Sequence, residues 1–175
     1  MSSLLSVRDL RVGFGQKPKA NEVVKGVSFD LGPGETLGIV GESGSGKSVS
    51  ALSINRLVDF GGGRITHGSI QLTRSDGTVL DVAKADEKVL LGIRGRDVGM
   101  IFQEPMTSLN PVHTVGAQIE EAFRLSKGLT GAQAHKATLD VLGRVRIPDA
   151  QSRLGYYPHQ LSGGMRQRIM IAMAL

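Results

Sequence analysis

Gly41-Glu42-Ser43-Gly44-Ser45-Gly46-Lys47-Ser48 is the stretch on which the reading of this chain turns. It satisfies the pattern G-x-x-x-x-G-K-[ST] at every fixed position. Its flanks agree with it. Thr36-Leu37-Gly38-Ile39-Val40 is a short apolar run that reads as a buried strand. Ser48 to Val58 follows, with apolar residues at Val49, Leu52, Ile54 and Leu57 that read as a helix. Strand, glycine loop and helix, in that order, make a phosphate-binding loop. The chemistry asks for these residue types. Glycines let the backbone turn with positive φ and leave no Cβ between the N–H groups and phosphate oxygens. A helix beginning near Gly46 adds unpaired N–H groups and its dipole. Lys47 supplies a point charge for β- and γ-phosphates, and the Ser48 hydroxyl is a hard oxygen ligand for Mg²⁺. A nucleotide triphosphate with Mg²⁺ is the expected ligand pair, cradled by Gly41, Ser43, Gly44, Ser45, Gly46, Lys47 and Ser48; the loop alone does not say which nucleotide, since kinases, GTPases and motor ATPases share it.

Composition removes several classes of function. The 175 residues suffice for one sizeable core, and 40% apolar content is that of a globular chain. With no cysteine there is neither a disulfide framework nor a cysteine metal site. The four histidines, His67, His113, His135 and His159, show no ligand spacing. The net charge of +5 is scattered and accompanied by acids, and aromatics are sparse, so direct nucleic-acid binding is not expected. The N-terminus does not read as a secretory signal. The longest apolar run, Ile169 to Leu175, is too short to span a bilayer.

Taken in order, Ser6 to Val12 alternates as a half-buried strand does, and Val23 to Leu31 reads as a second strand. Together they suggest an antiparallel layer beside the nucleotide core. Ile65–Leu72 and Thr78–Val82 flank Ser75-Asp76-Gly77 as a hairpin. Ala83–Leu91 reads as a short helix, and Val98-Gly99-Met100-Ile101-Phe102 as a second core strand. Pro105 and Pro111 bracket a polar loop. Val115–Leu125 and Ala132–Val145 carry helical spacing, and Gln151–Gly155 fits one further turn. In Leu161-Ser162-Gly163-Gly164-Met165-Arg166-Gln167, Ser162 is an N-cap residue. The helix after it becomes apolar on all sides from Ile169, as a buried helix is. It reaches Leu175 with no C-cap signal, which reads as a truncation.

Leu161–Gln167 is similar to the LSGGQ-type signature of ATP-binding cassette (ABC) ATPases, with Met165 where glutamine is commoner. Gln103, directly after an apolar run, resembles that family's Q-loop glutamine. Phe14 stands where the family places an aromatic that stacks on adenine. Gly41–Ser48, Met100–Pro111 and Tyr157–Leu175 look like the oligopeptide, dipeptide and nickel importer branch. The resemblance runs from about Leu4 to Leu175. It implies an α/β fold: a P-loop ABC ATPase core with an antiparallel β layer and a helical insert, the C-terminal part of the core being absent. The corresponding divisions are 1–104 for the nucleotide core and β layer, 105–160 for the helical subdomain, and 161–175 for the signature and its helix.

The resemblance further implies an ATP-binding subunit that couples ATP hydrolysis to import of peptides or related small solutes. Its partners are transmembrane permease subunits, a second ATP-binding subunit and, indirectly, a solute-binding protein. Its place is peripheral, on the cytoplasmic face of the cell membrane. Ser162, Gly163 and Gly164 would grip the γ-phosphate of the opposing subunit's ATP, and Gln103 would lie near Mg²⁺ and the transporter contact. The family's Walker B acid, catalytic glutamate and switch histidine would all follow Leu175, so no catalytic residue is expected within the chain. The Leu37–Val40 run would then lack a neighbour and present an unpaired apolar edge. Glu42 and Glu104 receive no catalytic role. Two alternatives stay open: an ABC-type module with a non-transport role, and a nonfunctional truncated product.

Overall fold

The computed structural model describes residues 3–15, 21–104 and 108–175. They form two compact units, Met1–Ile93 and Arg94–Leu175. The segment 94–104, grouped with the nucleotide core in the sequence reading, clusters with the second unit.

The first unit is built on one antiparallel sheet of order β2-β1-β3-β4. The strands are β1 (Leu5–Phe14), β2 (Asn21–Leu31), β3 (Gly63–Thr73) and β4 (Val79–Asp81). The expected β layer and hairpin are therefore present. The central strand β1 carries a bulge that simple alternation does not reveal. Leu5 and Val7 face the core, and then Leu10 and Val12 do, so the parity changes between Val7 and Leu10. Asp9 absorbs the extra residue with φ 42, and its N–H donates to Ser28 Oγ at 2.8 Å. The register of β1 shifts against both neighbours at this level. Gly68 on β3 has φ 95 and lies against the backbone carbonyls of Arg8 and Asp9, so that a Cβ there would overlap them. A bulge raises local twist and leaves a ladder position unpaired, and β3 follows it only because Gly68 has no side chain.

Helix α1 (Lys47–Ile54) lies on this sheet through its small face. Its buried residues are Ser50 and Ser53, whose hydroxyls bond back to the carbonyls of Gly46 (3.0 Å) and Val49 (2.7 Å). Such back-bonding satisfies a buried hydroxyl without an outside partner. The apolar residues Val49, Leu52 and Ile54 are half-buried. A 3₁₀ turn, Leu57–Gly61, follows. Arg56 pins this turn by bonding Asp59 (2.6 Å) and the carbonyls of Val82, Ala83 and Ala85. Helix α2 (Glu87–Ile93) buries Leu90 and Ile93.

Two sequence expectations are corrected. Neither Thr36–Val40 nor Val98–Phe102 is a buried strand. Leu37, Ile39 and Val40 are 44%, 45% and 95% exposed, and Ile101 and Phe102 are 52% and 43% exposed. A strand buried on both faces draws its hydrogen bonds from parallel neighbours. Among the described residues neither run has one, beyond an isolated bridge between Arg94 and Val98.

The second unit is helical: α3 (Val115–Lys127), α4 (Gly131–Arg144), the short α5 (Ala150–Arg153), a 3₁₀ turn Pro158–Gln160, and α6 (Gly163–Ala174). Ile119, Phe123, Val141, Leu142, Leu161 and Ile169 meet in its core. Thr114 caps α3 by accepting from Ala117 N–H. The next two N–H groups, of Val115 and Gly116, donate to the carbonyls of Tyr156 (2.8 Å) and Leu154 (2.9 Å). The buried Gln118 side chain accepts from Asn110 N–H (2.9 Å) and donates to the carbonyls of Asn110 and His113 (3.0 Å each). It fixes the loop that enters α3.

The bulge makes a testable distinction. Gly68→Ala is expected to cost about 2 kcal/mol or more, since positive φ and backbone overlap act together. Gly77→Ala, at φ 81 in open space, should cost about 1 kcal/mol. Urea denaturation midpoints of the two variants check the order. Equal losses would mean that the bulge does not depend on a glycine opposite it.

Candidate nucleotide-binding site

The loop 41–48 is exposed up to Ser45 and becomes buried at Gly46, where it joins the fold. Gly44 and Gly46 have φ 82 and 91. At Gly46 a second constraint adds to the first. A Cβ there would stand 3.2 Å from the Val23 carbonyl oxygen and 3.2 Å from a Val24 methyl. The glycine thus lets the start of α1 press onto β2, which aims the loop from the sheet. Ser45 N–H closes the loop onto the Glu42 carbonyl at 3.2 Å.

Lys47 curls back into the loop. Its ammonium donates to the carbonyls of Gly41 (2.7 Å) and Glu42 (2.6 Å) and reaches Ser45 Oγ at 3.5 Å. The charge therefore stands over the ring of backbone that the motif supplies. Gly46 is the N-cap of α1 and gives no side-chain cap, so the first-turn N–H groups are left to other acceptors. The Ser48 hydroxyl is exposed one residue further on. A cation held by carbonyls, exposed glycine N–H groups and an uncapped helix start suit a polyphosphate. Ser48 is the hard-oxygen donor that Mg²⁺ would take beside phosphate oxygens and water. Among the described residues no group of three or more His, Cys, Asp or Glu forms an all-protein metal site.

Phe14 closes β1 in the same unit. It pairs with Asn21 on β2 and Gly63 on β3. Val12, two residues earlier, pairs with Val24, against which Gly46 packs. At strand rise, Phe14 is about 7 Å further along β1 from that level. The ring is half-buried.

Gln103 and Ser162–Gly164 belong to the second unit, and Gln103 is exposed. Ser162 caps α6 as its sequence indicates, its hydroxyl accepting from Met165 N–H at 3.3 Å. Met165 packs against the helical core, which accounts for an apolar residue at that position. Gly163 and Gly164 are exposed, have no positive φ, and have nothing within 4 Å of where a Cβ would stand. Nothing among the described residues demands glycine here.

Two positioning residues escaped the sequence reading. Gln118 lies in a helix of ordinary amphipathic pattern, and only its burial reveals its network. Gln160 accepts from Tyr157 N–H at 2.8 Å, and the Tyr157 and His159 rings stack at 5.7 Å, which orders the approach to Ser162.

A phosphate-gripping loop at a strand-layer-supported helix start defines the class: a P-loop nucleotide-binding protein. Comparison with known proteins narrows this. Residues 24–175 match the family model of the ABC transporter, and the chain belongs to that family. It is 52% identical over 172 residues to the glutathione import ATP-binding protein GsiA of Pectobacterium atrosepticum, covering 98% of this chain and 28% of the relative. It is 51% identical over 172 residues to a putative peptide import ATP-binding protein of Brucella ovis, covering 98% and 51%. The chain thus spans about half or less of the curated relatives it matches. A dimeric ATP-binding cassette in a post-hydrolysis state, bound to ADP and Pi, superposes with TM-score 0.78 at 25% identity, over 98% of this chain and 68% of the other. CbiO1 of Clostridium perfringens shares the fold, with TM-score 0.74 at 22% identity over 100% and 62% of the two chains. The fold class is accordingly that of ABC ATPase cassettes.

The open space at Gly163 and Gly164 predicts an uncommon sign. Alanine in a helix is favoured over glycine by about 0.5–1 kcal/mol. At the first two helical positions the gain is smaller than in a helix interior, so Gly163→Ala and Gly164→Ala should each leave the urea denaturation midpoint unchanged or raise it slightly. A loss of stability in either variant would mean that the glycine serves the fold.

Proposed function

We propose that this chain is the ATP-binding portion of an importer subunit that couples ATP hydrolysis to uptake of peptides or related small solutes. The observation that carries the reading is the Lys47 ammonium, held by the Gly41 and Glu42 carbonyls over an exposed glycine loop at an uncapped helix start. The importer names of the relatives at about half identity support the solute class.

In this reading Lys47 exchanges its two carbonyl partners for β- and γ-phosphate oxygens. The N–H groups of Gly44 and Gly46 and the first turn of α1 donate to the remaining oxygens, Ser45 N–H joining them by leaving the Glu42 carbonyl, with Gly41 and Ser43 shaping the loop. Ser48 would hold Mg²⁺, whose charge would offset that of the phosphate oxygens. Phe14 would stack on the adenine, and Gln103 is the residue proposed for the metal and the transporter contact. Ser162, Gly163 and Gly164 present the start of α6 to the γ-phosphate of a second ATP-binding subunit's nucleotide. Bare glycines there let that subunit's phosphates approach the helix N–H groups. Among the described residues no helix is long and apolar enough to cross a membrane. The subunit works peripherally, on the cytoplasmic face, through permease partners that receive solute from a binding protein.

The test is calorimetric. Lys47→Ala should lose at least about tenfold in MgATP affinity, the scale of one charge-assisted contact of about 1.5–3 kcal/mol. Equal binding by the variant and the parent would remove the loop from the nucleotide site.

A further inference from the structure

Gly63 is buried at the start of β3 and has no positive φ, so its backbone imposes no glycine. Its surroundings do. A Cβ at Gly63 would stand 2.6 Å from a methyl of Val58 and 2.8 Å from both the Cε1 and Cζ atoms of Phe14. The Phe14 ring therefore lies directly on the Gly63 backbone, opposite it in the β1–β3 register. Against the same position stands a methyl of Val58, 3% exposed, on the 3₁₀ turn that Arg56 pins to Asp59 and to the carbonyls of Val82 and Ala83. Of the two neighbours, Val58 is fixed and enclosed, whereas Phe14 is half-buried at a strand end. A side chain at position 63 must displace both the Val58 methyl and the ring, and the ring is the freer of the two to move.

We propose that Gly63 is a positioning residue for base recognition: its missing side chain is the seat that sets the plane of the Phe14 ring, and hence the affinity for the adenine part of the nucleotide. The inference rests on the nucleotide-binding reading above and adds a residue to it. Aromatic stacking on a base depends on a ring held at the right plane and offset. A ring resting against the Gly63 backbone is held before the base arrives, which lowers the ordering cost of binding.

The experiment measures ATP and inorganic tripolyphosphate affinities of the full chain by calorimetry, in a cycle of Gly63→Ala and Phe14→Ala. Tripolyphosphate reports the loop alone, and ATP reports loop and base together. Gly63→Ala should lower the ratio of ATP to tripolyphosphate affinity on the order of tenfold, the scale of one stacked base. In the Phe14→Ala background it should lower it no further, because the effect passes through the ring. An unchanged ratio in Gly63→Ala, or an equal drop in both backgrounds, overturns the proposal. A parent chain that binds neither ligand overturns the nucleotide reading itself, a distinct result from a parent that binds both with Gly63 indifferent. Proton NMR of the unaltered chain keeps the proposal testable if the variant does not fold. The Gly63 Hα resonances, shifted by the ring above them, should move on addition of ATP and not of tripolyphosphate. Hα resonances that ignore ATP would also overturn it.

Discussion

The first unit depends on how one strand, β1, satisfies its backbone while serving two neighbours and a helix. It is the only strand of the described sheet that lies between two long partners, β2 and β3. Buried N–H and C=O groups must be paired, so a bulge in β1 has to be accommodated on both sides. Asp9 takes the positive φ, Ser28 receives its N–H, and Gly68 yields the space. The bulge lets Leu5 and Val7, and then Leu10 and Val12, all face one core. Without it the second pair would turn to the other face. Val12 fixes Val24 across the ladder, and Val24 meets Gly46. The position of the phosphate loop is thus inherited from the register of β1.

Small residues do the positioning at each contact along that line. Gly46 allows α1 onto β2, Ser50 and Ser53 allow its buried face to approach while satisfying their own hydroxyls, and Gly63 receives the Phe14 ring. Each close approach shortens the distance over which orientation must be transmitted. The loop itself is left exposed, with its charge folded inward onto its own carbonyls. Glycine thus has three separate uses in this unit: positive φ in the loop, backbone contact at Gly46 and Gly68, and a ring seat at Gly63.

The second unit solves a different problem, the ends of helices. An uncapped helix start leaves several donors. At α3 they are met by Thr114 and by the carbonyls of Tyr156 and Leu154, so that a distant segment closes the helix. Gln118 then ties the preceding loop to the same helix. At α6, among the described residues, Ser162 supplies the side-chain cap, and the glycines beside it have nothing where a Cβ would stand. One helix start is closed by a distant segment and the other by its own N-cap residue.

The sequence by itself determined the phosphate loop, the signature, the family and most elements, because these are local. Fixed spacings at Gly41–Ser48 and Leu161–Gln167, turn residues at Ser75–Gly77 and helical periodicity at 115–125 and 132–145 all act within a few residues. Tertiary structure decided what depends on distant partners. The runs 36–40 and 98–102 have the composition of core strands, yet form no strand and leave Leu37, Ile39, Val40, Ile101 and Phe102 exposed, since a parallel strand has no hydrogen bonds of its own and its neighbours must come from elsewhere in the chain. The β1 bulge was hidden because apolar residues on both sides of Asp9 still alternate, and only pairing shows the change of parity. In the sequence Gly63 is the last of three successive glycines after Phe60, with nothing to set it apart. Its significance exists only when β1 and β3 bring Phe14 over it, a contact between residues far apart in sequence that no local pattern encodes.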